Sequence, residues 1–148
     1  MLKVILLVLQ LVAVAFLWVH DWVPLGSLND VRAVRRQDTF GRLVVVTLIQ
    51  SLPFTVILIL CVTYFGQQYP HWLITTLWVA YVALFVGQLR AWWVPYLLRA
   101  EPARALRYRA MFGSTHSFLP ERNGLVPNTA HIFLHLCTAA TLVVLFLM

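Results

Sequence analysis

Charge is the scarcest property of this chain: Asp, Glu, Lys and Arg make up 11% of its 148 residues, where a soluble domain carries about 25%. That shortage excludes a water-soluble domain, whose surface would need far more charge to stay hydrated. Cysteine is nearly absent too. The two present, Cys61 and Cys137, fall in separate apolar runs at depths roughly 12 Å apart on a helical rise, beyond the reach of a disulfide. The phosphate-cradling patterns G-x-x-x-x-G-K-[ST] and G-x-G-x-x-G do not occur, so the usual nucleotide loops are excluded. H-E-x-x-H is missing as well, and no serine carries a nucleophile signature. The middles of the apolar runs hold no Asp, Glu, Lys or Arg, which argues against an ion-coupled transporter acting as a single copy.

What the chain does have is apolar length. Hydrophobic residues make up 61% of it, gathered in four runs that each approach the ~20 residues needed to cross a bilayer as a helix. The sequence predicts an all-α polytopic membrane protein, one transmembrane domain over residues 1–148, with spans near 3–22, 43–65, 72–93 and 129–148. The first run resembles a signal peptide only at its basic start. It is long for one and ends in Trp18, His20, Asp21, Trp22 and Pro24, with no small-residue cleavage site. Pro53 falls inside the second span and predicts a kink. Gln10, Thr47, Gln50, Ser51, Thr55, Thr75, Thr76 and Gln88 are expected to hydrogen-bond between helices. Between the third and fourth spans, Pro102 as a first-turn residue and Gly113 as a stop predict a short interfacial helix, followed by a loop through Pro120, Asn123-Gly124 and Pro127. Asn128 is placed to cap the last helix, and Asn29 or Asp30 a short one in the first connection.

Charge also predicts orientation. Ten of the eleven Lys and Arg residues fall in the first and third connections or at the span ends beside them, and Lys3 is the exception. By the positive-inside bias those connections face the cytoplasm and both termini lie outside, in a membrane expected to be the bacterial cytoplasmic one. A net charge of +6 would suggest nucleic acid in a soluble protein, but its placement here reads as topology, and no nucleic-acid partner is expected.

Two groups of residues carry chemistry. His20, His116, His131 and His135 all fall near the expected inner interface. His131 and His135 share a helical face, a spacing that suits two ligands of one metal or haem, an acid–base pair, or a lock between neighbouring helices. The second group, Arg90, Arg104, Arg107, Arg109, His116, Arg122 and Asn128, surrounds the third connection and offers guanidinium groups and a helix N-terminus to an anion. The leading expectation is a binding or accessory membrane protein that engages an anionic lipid, a phosphate-bearing ligand or a partner subunit. Its rivals are a small membrane enzyme or redox protein using the histidines, and a homo-oligomeric pore with Ala80, Ala83 and Gly87 at its contact face.

Overall fold

The computed structural model describes all 148 residues, and every regular element in it is helical. The chain runs α1 (Leu2–Val19), α2 (Val31–Gln37), α3 (Phe40–Thr63), α4 (His71–Gln88), α5 (Val94–Leu97), α6 (Pro102–Phe112) and α7 (Thr129–Phe146), with a 3₁₀ turn at Gly26–Leu28. Four helical stretches, α1, α3, α4 continued to Leu97, and α7, are long and apolar enough to cross a membrane. This is the architecture of an integral membrane protein built as a four-helix bundle.

The first span stops at Val19 rather than near residue 22. The reason is local: Asn29 donates through Nδ2 to the carbonyls of His20 and Val23 at 2.5 and 2.8 Å, drawing the chain into a turn. α2 begins where Asp30 caps it, accepting from the Ala33 backbone N–H at 2.9 Å. α3 begins earlier than its apolar run because Thr39 accepts from the Arg42 N–H, and it continues through Pro53 without interruption.

The third span holds a feature that hydropathy does not show. Leu89–Trp93 form a π-helical turn, in which the Val94 N–H bonds to the Leu89 carbonyl. Pro95 lacks the N–H that would reach the Ala91 carbonyl in an α-helix. Tyr108 on α6 donates its hydroxyl to that same oxygen at 3.2 Å. The wider turn and the proline thus become a docking point for the interfacial helix, and π-bulges recur at functional sites.

α1 packs against α3 and α7, and α7 packs against α4. Lipid is as apolar as leucine, so close packing and hydrogen bonds hold such a bundle together. The indoles of Trp18 and Trp22 on and after α1 donate to Thr55 and Thr47 of α3 at 2.9 and 2.8 Å. Gln10 reaches Cys61, and Gln88 reaches Thr138. Thr75 and Thr76 depart from the interhelical expectation: both donate to carbonyls of their own helix, at His71 and Trp72, the usual sink for a threonine hydroxyl facing lipid. Ser51 is buried with an unpartnered hydroxyl, and no side-chain bond involves Gln50.

The first and third connections fold together at one end. His116 donates its backbone N–H to the Ser27 carbonyl at 2.7 Å, and Asn128 donates to the Leu28 carbonyl at 3.3 Å. The opposite end gathers Met1, Phe65 and Met148, with Lys3 donating to the Gln67 carbonyl and lying over the Tyr69 ring.

Candidate functional site

A cavity of about 780 Å³ opens at the charged end. Leu43, Val46 and Gln50 line it from α3, and Ala83, Leu84, Gly87 and Gln88 from α4. These two helices touch through Phe54 on Tyr81 and, nearer their hairpin, Tyr64 on Trp72. Gln50, Ala83 and Gly87 line the cavity and are also exposed, so it opens sideways between the two spans. Its mouth carries Asp38, Arg42, Arg104 and Arg107, and its inner wall His20, Trp92, Phe112, His131 and His135.

Of the small residues of α4, Ala83 and Gly87 border this cavity and Ala80 does not. A Cβ added at Gly87 would meet nothing within 4 Å, so glycine here leaves open space beside the cavity.

Three of the four candidate histidines come together. The ring centroids of His20 and His131 are 5.5 Å apart, and those of His131 and His135 are 6.4 Å apart. His116 stands apart from them: its Nδ1 bonds to Thr129 at 2.8 Å, and its backbone ties the connection to the start of α7. No three or more His, Cys, Asp or Glu side chains are arranged to hold a metal ion. Phe16, His20, Trp92 and Phe112 surround His131 at centroid distances of 6.0, 5.5, 4.5 and 5.1 Å.

Each imidazole has its Nδ1 committed to a partner. His20 donates to the Phe16 carbonyl at 3.0 Å, a bond that requires a proton on Nδ1. Its Nε2 lies 3.3 Å from Asp21 Oδ2. Burial pushes the Asp21 carboxyl upward; His20 pulls it back down, and Asp38 adds a further push.

The arginines divide into two sets. Arg107 and Arg42 both contact Asp38 at the cavity mouth, at 2.7 and 3.1 Å, and Arg109 pairs with Glu121 at 2.7 Å away from it. Arg90, Arg104 and Arg122 form no ion pair. Of the arginines singled out by sequence, only Arg104 and Arg107 line the cavity. Asn128 caps α7 through the His131 N–H at 3.0 Å and is fully buried, so its role is to hold that helix start in place. Desolvation raises the Tyr108 hydroxyl, and Arg104 and Arg107 oppose that rise, so it stays a neutral donor at the cavity floor.

Sequence reasoning missed Trp92, Trp93 and Gln88 as parts of this site. Trp92 and Trp93 read as an interfacial aromatic belt, the normal meaning of such a pair. Only the π-turn rotates one onto His131 and the other onto His135. No family model, curated protein or solved structure matches this chain.

Proposed function

We propose that this protein binds an anionic amphiphile in the cavity between α3 and α4, with the charged group at Arg42, Arg104 and Arg107 and its chains lying along the apolar walls. The single observation that carries this reading is the sideways-opening cavity with an arginine mouth and an aliphatic flank. A soluble anion would need no lateral opening. The charged end carries ten Lys and Arg against five acids, a surplus of 10 − 5 = 5 positive charges. Arg104 is the cavity guanidinium with no carboxylate bound to it.

Native mass spectrometry of the whole protein released from mixed vesicles tests this reading. Phosphatidylglycerol is retained over phosphatidylcholine, and inorganic phosphate does not displace it. Arg104→Ala with Arg107→Ala weakens retention on the order of ten-fold, while Arg109→Ala, outside the cavity, leaves it unchanged. Equal retention of both lipids by the native chain sinks the proposal, and displacement by inorganic phosphate reassigns the site to a soluble anion.

The same surplus of arginine supports an orientation with the charged end in the cytoplasm and both termini outside. Single cysteines placed at Arg35 and Arg107 are labelled from the same, inner side of a sealed vesicle. Labelling of either from outside overturns the orientation.

A further inference from the structure

The protein partners of the inner cavity wall fix its hydrogen-bond polarity, and that polarity names a headgroup. Asn128 accepts the His131 backbone N–H through Oδ1 and donates to Leu28 through Nδ2, so its amide is oriented without ambiguity. The same Oδ1 lies 2.6 Å from His131 Nδ1. An amide oxygen only accepts, so His131 carries its proton on Nδ1 and has a lone pair at Nε2. His135 has the opposite form. The Trp93 indole N–H donates to His135 Nδ1 at 3.1 Å, which puts the proton of the neutral ring on Nε2.

Gln88 adds a second acceptor. Thr138 gives its hydroxyl hydrogen to the Leu134 carbonyl at 3.0 Å, so its oxygen has to accept from Gln88 Nε2, also at 3.0 Å. This leaves Gln88 Oε1 as a buried oxygen with no partner, on a side chain 7% exposed that lines the cavity. Among these three side chains the inner wall therefore carries two acceptors, His131 Nε2 and Gln88 Oε1, and one donor, His135 Nε2–H.

A carboxylate alone would leave both acceptors unpaired, and an ammonium alone would leave the donor unpaired. A choline has no donor at all. Hydroxyls donate and accept at once, and two of them satisfy all three groups. Resting on the amphiphile reading above, we propose that the inner wall recognises the hydroxyls of a glycerol-type headgroup on an anionic phospholipid. Its phosphate sits at the arginine mouth, and its hydroxyls reach His131, His135 and Gln88. The rings of Trp92 and Phe112, tilted against each other at 5.0 Å beside His131, give this wall apolar surroundings, which raise the cost of any polar group left unpaired.

The deciding experiment offers the whole protein equal amounts of phosphatidylglycerol and phosphatidylpropanol with identical chains, read by native mass spectrometry. The two lipids share charge and length and differ only in the headgroup hydroxyls. The native chain retains phosphatidylglycerol roughly ten-fold better, and Gln88→Leu and His135→Phe each reduce that preference several-fold while both lipids still bind. Equal retention of the two lipids, or a preference for phosphatidylpropanol, overturns the headgroup assignment and leaves the anionic-amphiphile reading standing. Retention of neither overturns both. If His135→Phe does not fold, the native chain's preference and Gln88→Leu decide the matter alone.

Discussion

A single guanidinium nitrogen of Arg107 bridges both carboxylate oxygens of Asp38, at 2.8 and 2.7 Å, across 69 residues of sequence. This contact fastens α6 to the junction of α2 and α3, so the floor of the cavity mouth is held by charge where the bundle core is held by packing. Asp38 is largely buried and Arg107 half-exposed, a setting in which a charge-assisted bond contributes more than a free surface pair.

Arg107→Ala is therefore expected to lower stability by about 1 kcal/mol. The loss is limited because Arg42 still pairs with Asp38 at 3.1 Å. Thermal unfolding in mild detergent of Arg107→Ala, Asp38→Ala and the double variant measures the coupling between them. Strict additivity of the two losses would show that the contact contributes nothing.

Filling the cavity separates its role from that of the fold. Gly87→Leu places a side chain where an added Cβ meets no atom within 4 Å, so the protein is expected to fold with stability close to the native chain. Lipid retention should nonetheless fall on the order of ten-fold, because the leucine occupies the apolar flank. Unchanged retention in the folded variant would place the ligand elsewhere.

The two tryptophans at the end of α1 act as hydrogen-bonding clamps on α3. Trp18→Phe and Trp22→Phe each keep most of the ring and remove one interhelical donor, to Thr55 and Thr47 respectively. Each loss is expected to cost about 0.5–1.5 kcal/mol. Repeating Trp22→Phe in a Thr47→Val background should show almost none of that cost, as read from detergent unfolding midpoints.

Two acids at the charged end respond to pH in opposite senses. The Ala33 N–H and the Ser114 hydroxyl hold the Asp30 carboxyl below its ordinary value of 3.8. Its contribution to stability is thus complete above about pH 4 and disappears as pH falls through the lowered value. Burial raises Asp21 instead, so its contribution is complete below the ordinary carboxylate value and disappears as pH rises through the raised one. Melting curves of Asp30→Asn and Asp21→Asn against the native chain show the two signs. The native chain gains on Asp30→Asn with rising pH and loses ground to Asp21→Asn; parallel curves would remove the assignment.

Hydropathy alone assigns a solvent to each segment. Four long apolar runs separated by charged or turn-rich connections leave no other arrangement, since an unpaired backbone in lipid is too costly for anything but a helix. The sequence also marked the boundaries where a side chain acts on its own neighbours: Asp30 and Asn128 as caps, Pro102 at the start of α6 and Gly113 at its end. The tertiary structure decided which polar groups meet. Spacing alone put His131 and His135 on one face, but joining them to His20 took the packing of α1 on α7, and separating them from His116 took the fold of the long connection. Hydropathy cannot see a π-turn, because adding one residue to a helical turn changes direction without changing composition. That turn swings Trp92 and Trp93 toward the histidines, and the partners it supplies set where each imidazole carries its proton.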